Sequence, residues 1–309
     1  MTASHTAQLI VFSAFVLDLV FGEYPDRFHP VLYMGHYIKF LWSRRPGREK
    51  RTLLLWGVFL VLSGGFIFWC GPYFLHTFIK GMAGVLVSIL LLKPVFALKA
   101  LVKAAGQIKK ALEEGDLEDA RRLTSYHLVS RDTENLSEEE VCGAVIESVS
   151  ENLTDSFVSP LFYFAFAGIP GAWAYRFVNT CDSLIGYRTA EYESGGKFAA
   201  RFDDILNWIP ARLAGLLIVA AAAVNGEKGK NAWKTMRQSH GETSSPNAGW
   251  TMSAMAGSLG ISLEKREEYT LVGGEEKADF QFIGRATRII VTAAGMYMIF
   301  LLALLEVLV

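Results

Sequence analysis

The chain has 309 residues, 51% of them hydrophobic and only 20% charged, and its mean hydropathy of +0.27 exceeds what a water-facing surface normally carries. Disordered and fibrous classes are excluded. Thirty Lys plus Arg against 31 Asp plus Glu, a formal charge of −1, leave no general electrostatic affinity for nucleic acid, so any charged function is local.

In chain order, 9–22 is apolar but carries Asp18. It lacks a charged n-region and an A-x-A site, so it reads as a retained membrane helix rather than a cleaved signal. The loop 23–51 holds seven basic residues (Arg27, Lys39, Arg44, Arg45, Arg48, Lys50 and Arg51) against three acidic ones, which assigns it to the cytoplasm. The run 52–77 has no charged side chain over 26 residues, more than the roughly 20 that span a bilayer core. The run 81–98 is interrupted by Lys93 and Pro94. In 95–114, Leu98, Leu101, Val102, Ala105, Ile108 and Leu112 share one face, with Lys99, Lys103, Lys110 and Glu114 opposite. That pattern fits a basic helix at the membrane interface and, equally, a surface helix on a cytoplasmic domain.

The segment 157–175 is uncharged, yet GIPG at 168–171 is turn chemistry. A full span and a re-entrant hairpin are both open, and they place the flanking segments on opposite sides or the same side. The stretch 206–224 spans only by carrying Arg212 near one end, and 289–305 is the last apolar run. The fold expected is all-α: a multi-pass helical membrane protein forming one membrane-embedded domain over 1–309, with cytoplasmic helical segments. Its polar, site-bearing segments are 23–51, 115–156, 177–213 and 237–260.

Four polar clusters exceed what a membrane anchor needs. Ser137 followed by Glu138, Glu139 and Glu140 is a capping box. It opens a helix on which Glu147, Glu151 and Asp155 recur at i+4 as a carboxylate stripe, which repels itself unless water, basic partners or a metal offset it. Mg²⁺ favours one or two carboxylates plus substrate phosphates, and a solvated acidic face is the plainer alternative. In 177–188, Asn179, Asp182 and Ser183 lie among apolar residues, where unpartnered polar groups are costly. In 200–213, Arg201, Asp203, Asp204, Asn207 and Arg212 combine acids with bases that either pair internally or bind ligand. In 239–260, an SSPN turn precedes a helix whose Ala254, Gly257 and Ser258 suit close packing. The cysteines Cys70, Cys142 and Cys181 sit in unrelated contexts without CxxC, so neither a disulfide framework nor a zinc site is expected. Phosphate-loop, dinucleotide-binding, nucleophile-elbow and H-E-x-x-H motifs are absent from the sequence.

Six strings in order carry a resemblance: LDLVFGEYPDRFHPVLYMG (17–35), VSRDTENL (129–136), ESVSENLTDS (147–156), NTCDSLIGYR (179–188), RFDDILNWIPAR (201–212) and SSPNAGW (244–250). Together they resemble the CobD/CbiB cobalamin biosynthesis family, adenosylcobinamide-phosphate synthase. Three positions depart from its pattern. Ser130 and Ser156 stand where the family usually has Gly, and Leu153 replaces a Thr.

The resemblance implies ATP-dependent amide ligation of (R)-1-aminopropan-2-ol, or its O-phosphate, to a carboxylate of adenosylcobyric acid, with ATP and Mg²⁺ required. It implies Glu147, Glu151, Asp155, Asp182, Asp203 and Asp204 as catalytic acids or base, with Glu151 and Asp155 holding Mg²⁺. Arg131, Asn152, Asn179, Arg188, Arg201, Asn207, Arg212, His240, Ser245 and Asn247 are the expected substrate- and phosphate-binding residues. The expected partners are those two substrates, the lipid bilayer, and further copies of the chain or other corrinoid-pathway membrane enzymes; nucleic acid is not among them. The active site is expected to face the cytoplasm. From the residues alone, intramembrane Asp18, Asp182 and Arg212 also fit a transporter for a corrinoid or small anion.

Overall fold

A computed structural model describes residues 2–47, 49–129 and 132–308. Arg48 of the basic loop and Ser130 and Arg131 of the VSRDTENL string lie outside them. The described chain is helical almost throughout: α1 (Ala3–Phe21), α2 (Pro30–Ser43), α3 (Lys50–Phe78), α4 (Gly81–Leu92), α5 (Leu98–Glu113), α6 (Leu117–His127), α7 (Glu138–Leu153), α8 (Ser159–Ile185), α9 (Glu193–Leu206), α10 (Trp208–Val224), α11 (Gly229–Ser239), α12 (Ala248–Leu259) and α13 (Phe280–Leu308). A two-stranded antiparallel hairpin, β1 (Ser262–Lys265) with β2 (Tyr269–Val272), interrupts the helices. Five helical stretches are long and apolar enough to cross a membrane, with the broken pair α9 and α10 as a sixth. The all-α, multi-pass expectation therefore holds, and the described residues group into two compact units.

The first unit comprises the described parts of 1–97, 159–207 and 300–309. Its central rod is α3, whose Leu55, Phe59, Leu62 and Phe66 are exposed at helical spacing, the surface lipid requires. On its inner face Trp173 stacks on Phe68. Gly64 meets Phe177 so closely that a Cβ would lie 2.0 Å from the ring. Four residues forward on α8 thus match four back on α3, so this arm of α8 runs antiparallel to α3. Gly57 touches Gly195 at the start of α9, where a Cβ would come within 1.8 Å of the Gly195 carbonyl oxygen. Met34, Ile38, Trp42, Leu60, Phe177 and Ile185 fill the core between α2, α3 and α8.

Within α8 the backbone at Gly168 is non-helical, with φ 64° and ψ −163°. The Tyr163 and Tyr175 rings stack at 5.1 Å, whereas residues that far apart on a straight helix would be separated by about 18 Å. The chain folds back at Gly168, which is the hairpin alternative of the GIPG turn.

The second unit comprises 98–158 and 208–299. Helix α7 begins with the expected capping box, Ser137 and Glu140 bonding reciprocally. The apolar face of α5 (Leu98, Leu101, Ala105, Ile108, Leu112) is buried in protein, so it packs as a domain helix rather than lying on the bilayer. Helix α12 is buried along its length. Its Gly257 lets α11 approach, since a Cβ there would lie 2.7 Å from Thr235 Oγ1, as the small-residue spacing predicts.

Candidate functional site

In the first unit a polar core forms around Asn207, at the end of α9. Its Oδ1 accepts from Ser159 Oγ at 2.5 Å and from Tyr175 Oη at 2.9 Å, while its Nδ2 donates to Asp203 Oδ2 at 2.8 Å. Asp203 Oδ1 accepts from Asn179 Nδ2 at 3.3 Å. Ser159 and Tyr175 reach the same amide only because α8 doubles back. Asp182 and Asp204 lie close enough to couple electrostatically with Asp203, and Arg201 pairs with Asp204 at 3.7 Å. A Cβ on Gly186 would sit 2.0 Å from Asp182 Oδ1, which explains the glycine in SLIGYR. Four of the expected residues, Asn179, Asp182, Asp203 and Asn207, are thus brought together, with Arg201 and Asp204 at their edge. Arg188 is exposed in the loop beyond α8.

A second polar group in this unit went unanticipated. Lys93 Nζ, 1% exposed, lies 3.4 Å from Asp18 and 3.5 Å from Glu23, and Glu23 meets the His29 ring at 2.5 Å. Burial pushes the Glu23 carboxyl up, but the His29 hydrogen bond and the charges of Lys93, His29 and Arg176 outweigh it and hold it below the usual range.

In the second unit Glu147 and Glu151 line a cavity of about 210 Å³ with Leu128, Met252, Lys265 and Tyr269. Glu147 is 6% exposed and so is not solvated, whereas Glu151 is exposed on the cavity side of the helix. Asp155 falls in a π-helical turn, Thr154–Val158, where it is half-buried and is not among the residues that line this cavity. π-turns of this kind recur at functional sites. Asn152 donates to the Ser148 carbonyl and accepts from Ser156. Lys265 and Tyr269 come from the β-hairpin that a purely helical reading omits. His127, just before Leu128, is held below its ordinary range by partial burial and by the charges of Lys103 and Arg122.

A further group gathers Arg212, whose guanidinium stacks on Trp208 and Trp250 at 4.1 and 4.8 Å and donates to Asn247 Oδ1 at 3.4 Å. The His240 ring packs on Trp250, and Ser245 Oγ accepts from the Asn247 and Ala248 amides. Arg212, His240, Ser245 and Asn247 are thus neighbours. Arg131 lies outside the described residues. Among the described residues no three His, Cys, Asp or Glu converge as a metal site. A larger open cleft of about 1070 Å³ beside α6 is lined by Asp119, Arg121, Arg122, Tyr126 and Asp132, among others. It is not the aromatic-rich cavity a corrin edge calls for.

Fold and site together define a polytopic helical membrane protein whose acids and amides are held inside the helical units. Among solved structures nothing matches the chain. The family described as CobD/Cbib protein matches residues 11–295, and the chain belongs to it. A "Cobalamin biosynthesis protein CobD" of Dehalococcoides mccartyi is 44% identical over 266 residues, 85% of this chain and 86% of the relative. A "Probable cobalamin biosynthesis protein CobD" of Methanothermobacter thermautotrophicus is 40% identical over 262 residues, with 85% and 86% covered. A Clostridium perfringens CobD is 37% identical over 255 residues, with 81% and 80% covered.

Proposed function

We propose that this protein catalyses the amide-forming step of cobalamin biosynthesis that joins (R)-1-aminopropan-2-ol, or its O-phosphate, to a carboxylate of adenosylcobyric acid at the expense of ATP. The observation that carries the reading is family membership over residues 11–295. The cavity lined by Glu147, Glu151, Lys265 and Tyr269 supports it with the charges the chemistry needs.

A carboxylate does not acylate an amine unaided. Attack of the corrinoid carboxylate oxygen on the γ-phosphorus of ATP releases ADP and gives an acyl phosphate. The neutral amine then adds to the acyl carbon, and inorganic phosphate leaves as the amide forms. A base must take the ammonium proton, and cations must meet charge developing on phosphoryl and carbonyl oxygens. Glu147, buried in the cavity that Lys265 also lines, is suited to the proton transfer, and Lys265, paired with Glu268 at 2.7 Å in the unliganded chain, to a phosphoryl oxygen. The donor set on 147–155 is all carboxylate, which suits a hard cation sharing its shell with phosphates. Glu151 and Asp155 would hold Mg²⁺, whose contribution is to neutralise phosphate charge.

The transporter reading loses two of its three supports, because Asp18 is ion-paired with Lys93 and Arg212 is stacked on two indoles, and Asp182 alone does not make a pathway. An active site on the cytoplasmic side follows from the use of ATP. Purified protein in detergent, given adenosylcobyric acid, aminopropanol phosphate and MgATP, is expected to yield the amide and stoichiometric ADP by mass spectrometry. Glu151→Gln and Asp155→Asn should each lower turnover by roughly 10² or more, the scale of a lost transition-state charge interaction, with unchanged thermal unfolding. Near wild-type turnover in both would return these acids to the solvated-face reading.

A further inference from the structure

The acidic first turn of α7 has a second task besides capping that helix. Glu140 Oε2 accepts from the Ser137 amide and hydroxyl, both at 2.8 Å, which completes the capping box. The same carboxylate holds Arg266 at the tip of the β-hairpin. Arg266 Nη2 donates to Oε2 at 2.7 Å and its Nε pairs with Oε1, the fork geometry of a bidentate pair. Glu139 pairs at 3.2 Å with Lys277, on the segment leaving the hairpin. Register explains how the two elements meet. Glu140, Gly143, Glu147 and Glu151 recur at i+3 and i+4 and share one face of α7. On the hairpin, Leu263 stands opposite Leu271 and Lys265 opposite Tyr269, and alternation puts all four on one face. Leu263 and Leu271 are fully buried, and a Cβ on Gly143 would lie 4.0 Å from Leu263 Cδ2. The base of the hairpin is thus seated on α7, while Lys265 and Tyr269, the last pair of the ladder, line the cavity with Glu147 and Glu151. Beyond that pair the turn is tight. The Glu268 amide donates to the Lys265 carbonyl at 3.0 Å, and Glu267 takes a φ of 63°, the left-handed region that is costly for a residue with a side chain. Arg266 ties this turn to α7. An ion pair whose arginine side chain is 65% exposed adds little to stability, so its contribution is to fix where the tip sits.

We propose that Glu140 and Arg266 are positioning residues for the reaction: their pair fixes the hairpin tip so that Lys265 and Tyr269 stand against Glu147 and Glu151, and neither touches substrate. Resting on the ligation reading above, the pair sets the distance between a phosphate-binding cation and the carboxylates that serve the proton transfer and the metal. One carboxylate thereby couples the start of the helix that bears the acids to the strand that bears the cation. A misplacement of about 1 Å at such a site lowers a rate far more than the loss of a surface ion pair lowers stability.

Arg266→Gln removes the fork, and Glu140→Gln removes its charged partner while keeping an acceptor for the cap. In the full chain in detergent, each should lower kcat for amide formation about tenfold or more, with a Tm within about 2 °C of wild type. The double variant should be no slower than the slower single one, because both substitutions remove the same contact. Arg266→Lys, which keeps the charge without the fork, should recover part of the rate. Hydrogen–deuterium exchange supplies a readout that needs no turnover: amides of 262–272 should exchange faster in both single variants, and those of α12 should not. Wild-type kcat in both single variants overturns the proposal, as do losses that add in the double variant or unchanged exchange across 262–272. Failure of the ligation reading shows up differently. If the wild-type chain forms no amide while exchange across 262–272 rises in both variants, the hold on the hairpin stands and the proposed reaction falls. If amide forms at the wild-type rate in every variant, the reaction stands and the positioning role falls.

Discussion

Lys93 and Asp18 are, respectively, 1% and 0% exposed, and they face each other across α1 and the end of α4. Two charges out of water are tolerated only together, since removing one partner of a buried pair costs about 3–5 kcal/mol while replacing both with apolar groups is often neutral. Lys93→Met should therefore unfold in detergent at a markedly lower Tm than wild type, and Asp18→Leu combined with Lys93→Met should recover most of the loss. A double variant no more stable than the single one would contradict this account. Glu23 adds a pH component. Its folded pKa lies below the ordinary carboxylate value of about 4.3, so its contribution is fully present above that value and is lost as pH falls through the depressed one. Glu23→Gln should reduce the drop in Tm between pH 7 and pH 3, measured in the same detergent. From the sequence, Asp18 stood out as an intramembrane acid and Lys93 as an interruption of an apolar run. What was not visible was that each explains the other, because pairing between residues so distant in the chain is a property of packing. The same holds for Ser159 and Tyr175, ordinary residues of an apolar segment until the fold delivers both to Asn207.

Among the elements, α8 is the one on which the polar core depends, and its turn rests on Gly168. The φ of 64° with ψ of −163° is a combination that side-chain-bearing residues rarely adopt. An added Cβ would meet nothing closer than Pro170 Cδ at 3.6 Å, so the obstacle is backbone conformation rather than space. Gly168→Val should cost about 1–3 kcal/mol, read as a fall in Tm, and should reduce activity by loosening the Asn207 cluster. A Gly168→Val protein with wild-type Tm would show that the reversal does not need this conformation. The turn was legible because glycine and proline carry their own backbone chemistry, although composition alone left a full span equally open. The π-turn at Thr154–Val158 was not legible, since no residue in TDSFV demands the extra width. The β-hairpin was missed for a related reason: strands of four residues, Ser262–Lys265 and Tyr269–Val272, are too short for alternation to stand out, yet they bring Lys265 and Tyr269 to Glu147 and Glu151. The face of α5 was read correctly, but amphipathicity does not say whether lipid or protein covers it.

At the scale of the whole molecule, the question the charges raise is sidedness, and α3 provides the ruler. Its 29 residues extend about 44 Å, longer than a hydrocarbon core of about 30 Å, so Lys50 and Lys80 mark opposite surfaces. The Lys50 end carries the basic segment of 44–51, which the positive-inside bias assigns to the cytoplasm. Beside it lies the loop after α8: Arg45 Nη2 is 3.0 Å from Glu191 Oε1, and Trp42 stacks on Tyr192 at 5.2 Å. Arg188 and the end of α8 that carries Asp182 therefore lie on the same side as that basic segment, the side on which the proposed reaction requires ATP. Single cysteines at the exposed positions Ser43, Thr189 and Lys80, in a chain lacking Cys70, Cys142 and Cys181, test this in intact cells. Ser43→Cys and Thr189→Cys should resist a membrane-impermeant maleimide until the membrane is permeabilised, and Lys80→Cys should react without permeabilisation. If Ser43→Cys and Thr189→Cys differed from one another, the packing of α2 against the α8–α9 loop would be wrong. If all three simply reversed, the packing would stand, but the Asp182 end of the first unit would face away from ATP, and its acids could not serve an ATP-dependent reaction.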